Sequence, residues 1–550
     1  MEIGKYDMNK RQTTIITVLS VVAFILALMV SDRFWFRLDL TKNKAYTISQ
    51  VSRNLHREIP ETVNITYYVS DRLRGIFPTV GDIEDTLVEY TAYSRGKIRL
   101  TVKDPVRTGV SRMIEELGLV PRQIQNVEQD QASFITIYSG IVIEYLDRVE
   151  VLPWIESTET LEYDLTTRIR SMVNNSERLI GIIVGDYFRQ WRSDFNLIDM
   201  YLTNAGYKIR LIQNGEEIPD NLPVLFVLGG VEDFDNFALY RIDRYIQLGG
   251  KVFFAVKGVY VDTIRGSIEA RHLIDFGLLD MIQSYGAVIR SELVLDRTAL
   301  AIQYHSMTAT GSSVLRTARY PFWINVLGSN GNSEHPVSAG FNGIDLYWAS
   351  PLGLYPPANV EAVPLFTSTP EAWTVREEMN TVPGAPSYLL EIEAIDTRGE
   401  KILGAALTGL FPSFFSGVEK PVREGLDEQL PDMPAVSRNS RVIVIGDTDF
   451  ITDMMTATQN VQRGERQNLD FVLRVADWLL NDDDVIEIRN RLPTVGRFDK
   501  ILDEARRANV MNFVQIVNVG LIPLLVIAAG IIIAFRRKSL AKNKETINDI

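Results

Sequence analysis

Residues 179–186 read "LIGIIVGD", an apolar run closed by Gly185-Asp186. It has neither the 3.6-residue period of a surface helix nor the alternation of a half-buried strand. A short run of this kind, rich in β-branched residues and ended by glycine, reads as a strand buried on both faces of a parallel sheet. The sequence downstream repeats the theme. "YKIRLI" (207–212), "LPVLFVLGG" (222–230) and "GKVFFAV" (250–256) are further strands, and residues 194–205, 235–248 and 273–285 carry apolar residues at helical spacing. "KILGAALTG" (401–409) and "SRVIVIGDTDF" (440–450) resume the sheet, followed by a helix over 469–480 and a strand at "VIEIR" (485–489). Strands alternating with helices predict an α/β fold with an open, doubly wound sheet. Residues 296–400 are richer in Pro, Gly, Ser and Thr and read as strands and loops decorating that sheet, and 411–440 as an exposed insertion.

Upstream lies a smaller α/β pattern. Thr47-Ile48-Ser49-Gln50 has the form of a capping box with Thr47 as N-cap, so a short helix should run to about residue 58. "TVNITYYVS" (62–70) is a strand, 80–94 a helix and "GKIRLTVKDP" (96–105) a strand. Strands at 134–138, 140–145 and 149–152 and a connecting helix at 160–173 complete a small thioredoxin-like domain without any CxxC.

Composition removes several classes of function. The net charge is −13, which argues against a nucleic-acid partner. There is no cysteine, hence no disulfide, no thiolate zinc site and no cysteine nucleophile. The four histidines, His56, His272, His305 and His335, are scattered, so no metal site is expected.

Two apolar segments predict membrane contact. Residues 13–30 are uncharged and would span about 27 Å as a helix, and Phe34-Trp35-Phe36 suits an interfacial anchor. Residues 514–535 form the second segment, followed by Arg536, Arg537 and Lys538. The expectation is a two-span protein of the bacterial inner membrane, with the lipid bilayer as a partner, both termini cytoplasmic and the bulk of the chain outside. The partition is then 1–36 (cytoplasmic start and membrane helix), 37–175 (small extracytoplasmic α/β domain), 176–495 (larger α/β domain with insertions) and 496–550 (connector, membrane helix and basic tail). Two helices cannot enclose a transport path, so any channel belongs to another chain.

Chemistry-bearing motifs are few. No G-x-x-x-x-G-K-[ST] and no G-x-S-x-G occur, so neither a Walker ATP site nor a hydrolase elbow is present. Two strands end in Gly-Asp, at Asp186 and Asp447, and Asp449 follows in "GDTDF". Carboxyl ends of parallel strands are where open α/β sheets bind ligands. Asp186, Asp447 and Asp449 are therefore the candidate ligand-binding residues, although capping of the following turns is the preferred reading of each. The run Asp482-Asp483-Asp484 reads as solvated surface.

The segment "DLTKNKAYTIS" (39–49), with Asp39, Leu40, Thr41, Tyr46, Thr47, Ile48 and Ser49, resembles the start of the gliding-motility auxiliary family associated with ABC-2-type transporters. The resemblance continues through "LEYDLTTRI" (161–169), "ALYRIDRYIQLGGKVFFAV" (238–256), "VIVIGDTDFITD" (442–453) and "NLDFVLRVADWLLNDDDVIEIRNR" (468–491). It implies a large domain similar to class I glutamine amidotransferases. In catalytic members of that fold a cysteine occupies the turn that here reads Val256-Lys257-Gly258, and none exists in this chain. His335, in Glu334-His335-Pro336, is accordingly read as structural. The resemblance implies a non-catalytic auxiliary subunit without cofactors, working with an ABC-2-type permease and a separate ATP-binding subunit. The alternatives are a membrane-anchored enzyme or ligand-binding protein using the aspartate crevice, and an envelope scaffold independent of any transporter.

Overall fold

In a computed structural model, the described residues are 47–490, apart from 129–130, 264–267, 308–310, 378, 385–393, 424–428, 435 and 457–466, together with 504–521 and a few residues up to 530. The chain divides into two units, residues 1–492 and 493–550.

The N-terminal part of the first unit opens with helix α1 (Gln50–Glu58) and strand β1 (Val63–Val69). Helix α2 (Thr79–Ala92), strand β2 (Ile98–Lys103), the pair β3 (Ser139–Tyr145) and β4 (Arg148–Leu152), and helix α3 (Leu161–Asn174) follow. The sheet order is β2-β1-β3-β4, with β1 parallel to β2 and the other neighbours antiparallel. The capping box is built differently from the expected one. Ser49, not Thr47, is the N-cap and accepts from the Ser52 amide at 3.1 Å, while Gln50 turns to Asn54. The carboxylate that reaches back to the Ser49 amide, at 2.7 Å, is Glu162 of α3.

The second part is built on strand β5 (Leu179–Val184), the stretch read first above. Helix α4 (Asn196–Asn204), β6 (Lys208–Leu211), β7 (Val224–Leu228), helix α5 (Asn236–Gln247) and β8 (Lys251–Ala255) follow. Next come helix α6 (Gly277–Tyr285), β9 (Ala287–Ile289), the long pair β10 (Ala299–Met307) and β11 (Ser313–Leu327), and β12 (Gly343–Tyr347). The chain then adds β13 (Leu352–Leu354), β14 (Val360–Thr367), β15 (Ile402–Gly409), β16 (Ser440–Ile445), helix α7 (Gln467–Leu479) and helix α8 (Asp483–Asn490). The nine-stranded sheet has the order β9-β13-β15-β16-β8-β7-β5-β6, with β14 also on β15. Strands β6, β5, β7, β8 and β16 are parallel, in the doubly wound order 2-1-3-4-5. Beyond β16 the neighbours are antiparallel.

Alternation across the strands explains why both faces are covered. Phe226, Leu228, Phe253, Ala255, Ile443 and Ile445 enter one core with residues of α4 and α7. Leu225, Val227, Val252, Phe254, Val442 and Val444 enter the other, with residues of α5 and α6. The 411–440 segment is largely exposed, as expected, with Val418, Val422 and Val436 open to solvent, but Phe411, Phe415 and Leu430 anchor it in this second core. Buried Asp243 of α5 holds it in place by accepting from the Ser413 hydroxyl at 2.7 Å and the Phe415 amide at 3.2 Å. "VIEIR" is helical rather than a strand, since Val485, Ile488 and Arg489 form one buried face at helical spacing beside Tyr163.

The α/β expectation matches this architecture, but the expectation of one membrane helix at each end is overturned. No helix among the described residues is long and apolar enough to cross a membrane. In the second unit the α-helix Glu504–Ile516 has 13 residues and starts with Glu504, Arg506 and Arg507, then gives way to a π-helical turn over Val517–Leu521. Its length of about 20 Å falls short of a hydrocarbon core of about 30 Å. The segment 13–30 and most of 522–535 lie outside the described residues. The two-span inner-membrane placement with cytoplasmic termini is corrected with it.

Candidate functional site

The carboxyl ends of four parallel strands carry Gly185-Asp186, Gly229-Gly230, Lys257-Gly258 and Gly446-Asp447-Thr448-Asp449. In this strand order the chain reverses direction between β5 and β7, where such sheets open a ligand crevice. Here the turns themselves fill it. Gly230 has φ +65°, and a Cβ on it would lie 2.0 Å from the Gly185 carbonyl carbon. A Cβ on Gly446 would lie 1.9 Å from the Ser350 carbonyl oxygen. Backbone thus meets backbone at both places, which only glycine permits.

Beside these turns is a buried charge cluster. Asp447, 0% exposed, accepts from the Tyr347 amide through Oδ2 and from the Asp449 amide through Oδ1, both at 2.7 Å. Lys257 Nζ lies 3.5 Å from Asp447 Oδ1, pairs with Asp449 and sits 5.3 Å from the centre of the Trp348 ring. Asp449 also receives the Arg189 guanidinium, which reaches Thr263 Oγ1 at 2.9 Å and Asp186 Oδ2 at 3.5 Å. The Thr448 hydroxyl donates to the Ala255 carbonyl at 2.6 Å and ties the turn to β8.

The electrostatics follow from burial and these partners. Burial pushes the Asp447 carboxyl up to about 6, with the Lys257 charge opposing and the Asp449 charge adding to the rise. Burial alone would also raise Asp449, but the Lys257 and Arg189 cations hold it below the ordinary carboxylate range. Burial disfavours the Arg189 cation, yet Asp449 outweighs it and raises its pKa.

Of the three predicted residues, Asp447 and Asp449 meet on Lys257, and Asp186 joins through Arg189 while capping its own turn by accepting from the Phe188 amide at 3.1 Å. Among the described residues no group of three His, Asp or Glu side chains could hold a metal ion. Reading the sequence for carboxylates missed both cations. The available signals were a lysine closing the apolar strand "KVFFAVK" and an arginine three residues after Asp186. The Lys257 backbone is outside the left-handed region, unlike a strained nucleophile turn. His335 packs on the Trp478 ring, centroids 5.0 Å apart.

A second buried cluster joins the two halves of the first unit. Asp477 of α7, 0% exposed, accepts through Oδ1 from the Tyr163 hydroxyl at 2.7 Å, the Tyr207 hydroxyl and the Arg178 guanidinium. Arg489 Nε lies 3.4 Å from Asp477 Oδ2, and its guanidinium sits 3.9 Å from the centre of the Tyr163 ring. Asp482 is turned toward Arg178 at 3.8 Å, half-buried instead of solvated as the acidic run suggested. "YTIS", "LEYDLTTRI" and the 468–491 segment therefore meet around α3, through Ser49–Glu162 on one side and Tyr163–Asp477 on the other.

A doubly wound α/β protein without a phosphate loop, its sheet edge closed by glycine contacts and ion pairs, is the class defined so far. Residues 177–481, more than half of the chain, match the family described as "ABC-type uncharacterized transport system", and the chain belongs to that family. Residues 42–144 match a domain of unknown function, DUF7088. An uncharacterized protein of Borreliella burgdorferi is 27% identical over 517 residues, covering 92% of this chain and 94% of its own length. Among solved structures the "mmIFT52 N-terminal domain" aligns over 55% of this chain and 97% of its own, at 11% identity and a TM-score of 0.30, which is no guide to fold or function. Family membership supports a transporter-associated auxiliary role, with components of an ABC transport system as partners.

Proposed function

We propose that the chain is a non-catalytic subunit of an ABC-2-type transport system, working by protein contact beside a separate permease and a separate ATP-binding chain. The observation that carries this reading is the closed carboxyl edge of the sheet. Where nucleotides or substrates enter comparable sheets, Gly230 and Gly446 press against neighbouring backbone, and Lys257 and Arg189 neutralise the carboxylates. The ABC-2 type, the amidotransferase-like assignment of the large domain and the link to gliding rest on the motif resemblance, of which family membership covers the transport-system part.

A second reading places a ligand or a reaction at Asp186, Asp447 and Asp449. One observation favours it: Asp447 and Asp449 are buried side by side at the strand ends with Lys257 reaching both, and burial raises the Asp447 carboxyl toward the neutral range. A ligand there would have to displace Lys257 or Arg189 from Asp449.

Affinity purification of the tagged chain from its own cells, with identification of what co-elutes, tests the proposal. Stoichiometric recovery of a permease and an ATP-binding chain is the expected result. Their absence, joined to a metal- or ligand-dependent activity lost in Asp449→Asn, would overturn it in favour of the second reading.

A further inference from the structure

The chain leaves strand β5 through Gly185-Asp186-Tyr187-Phe188, a turn that sets two aromatic residues just beyond the buried strand. Neither ring returns to a core. Tyr187 is 83% and Phe188 62% exposed, and the rings meet edge to face with centroids 5.5 Å apart. The turn is fastened to its neighbour, for the Tyr187 amide donates to Asp233 Oδ2 at 3.3 Å. From another direction the Ile274 amide donates to Glu232 Oε1, and Ile274 itself is 84% exposed. Glu232 is held in place by both terminal nitrogens of Arg271, at 2.6 and 2.9 Å. Three large apolar residues thus stand in solvent around the single turn Val231–Asp233, unlike apolar residues scattered singly over a surface.

Their surroundings carry one sign of charge. Asp233 and Asp275 are exposed, and the turn at 213–216 adds exposed Glu216. That turn is tied to the same place by the Asn214 side-chain amide, which donates to the Asp233 carbonyl at 2.8 Å. Among the described residues none of these three carboxylates has an ion-pair partner. The cations held at these turns are already taken, Arg271 by Glu232, Arg423 by Asp235, and Arg189 by Asp449 and Asp186. The field is felt at Asp233. Burial raises its pKa, the Tyr187 amide opposes, and the charges of Asp186 and Glu232 add to the rise.

We propose that this rim docks a cationic segment of a partner subunit of the transport system, one in which Lys or Arg flanks an apolar side chain; the proposal rests on the protein-contact role argued above. Local charge and apolar exposure together select that occupant. The partner's apolar side chain covers Tyr187, Phe188 and Ile274, and its cation meets the unpaired carboxylates of Asp233, Asp275 and Glu216, within reach of the Tyr187 ring face. The same carboxylates repel an anionic ligand, and the backbone contact at Gly230 leaves a small molecule no cleft beside the turn.

Photo-crosslinking in the protein's own cells tests this, with benzoylphenylalanine placed at position 187 of the full chain. The control carries the same group at Val88, exposed on α2. Position 187 should give about tenfold more adduct with a permease or ATP-binding chain than position 88, at a segment containing Lys or Arg. Tyr187→Ser with Ile274→Ser, both at exposed sites, should lower co-purification of those chains about tenfold. Asp233→Asn with Asp275→Asn keeps the acceptors, removes the charge and should flatten the salt dependence of recovery. If the wild type recovers the transport chains and the variants recover them equally, or if position 187 crosslinks no better than position 88, the docking surface is refuted while the subunit reading stands. An adduct with a second copy, or with a segment lacking Lys and Arg, refutes it too. Failure of the wild type to recover any transport chain removes both.

Discussion

Asp477 is the group whose removal the structure makes most costly. Its carboxylate is 0% exposed and compensates Arg178 and Arg489, whose side chains are 6% and 2% exposed. It also accepts from the hydroxyls of Tyr163 and Tyr207. Asp477→Ala leaves two buried cations without their shared counter-charge, a loss of about 3–5 kcal/mol. The orphaned hydroxyls add to this, although the terms share partners and do not sum. Asp477→Asn keeps the shape and an acceptor but not the charge, so about half of that loss is expected. The assay is urea unfolding followed by fluorescence, with Trp478 on the same helix as a reporter. For Asp477→Ala the midpoint should fall by about 1 M or more. The double variant Asp477→Ala with Arg178→Ala should be less destabilised than the two single losses added together, because the second change removes a cation already deprived of its closest counter-charge. A loss below about 1 kcal/mol for Asp477→Ala, or strict additivity in the cycle, would refute the claim that this cluster holds the two halves together.

Other outcomes follow from the same geometry. The Asp447 carboxyl, near 6 when folded against about 4 in the unfolded chain, is protonated preferentially in the folded state. Its contribution is therefore present below about pH 4 and lost as pH rises to about 6, and unfolding measured across that window should show this downward slope in the wild type but not in Asp447→Asn. His56 behaves in the opposite sense: buried against Tyr90, with ring centroids 4.5 Å apart, its pKa is lowered to about 4. Its contribution is present above about 6.5 and lost as pH falls toward about 4, by up to about 3 kcal/mol, and His56→Phe should flatten that limb. Gly230→Ala places a methyl group against the Gly185 backbone at a left-handed φ, so it should lower thermal stability by well over about 1 kcal/mol. If Gly230→Ala folds as stably as the wild type, the closed crevice described above is wrong.

What could be read in advance was whatever a local pattern encodes. "LIGIIVGD", "LPVLFVLGG" and "GKVFFAV" declare themselves because a strand buried on both faces must be apolar throughout, and all three are neighbours in the sheet. "VIEIR" misled because its β-branched residues favour a strand, while packing beside Tyr163 decides for a helix. The 411–440 segment is exposed over most of its described length, as read, but its prolines and charges hid the anchors Phe411, Phe415 and Leu430. The apolar run at 514–535 promised a span, yet its described start, Val514–Leu521, is the end of a 13-residue helix and a π-helical turn, and no described helix is long and apolar enough to cross a membrane. The site divides the same way. Strand-end aspartates are visible as Gly-Asp pairs, but Lys257 and Arg189 become their partners only through the sheet order. The Asp477 cluster was invisible, because Tyr163 and Asp477 stand 314 positions apart and no spacing rule connects them.

That separation has a consequence for how the protein is made. Arg178 emerges from the ribosome long before Asp477 and Arg489, and at about 5–20 residues per second the interval is roughly 15–60 s. Strand β16, which sits in the sheet between β8 and β15, is also among the last to be synthesised. For that period the nascent chain holds a cation with no counter-charge and a β8 edge with no neighbour. Native closure of the first unit is thus an event of late translation, and the growing chain depends until then on whatever shields it.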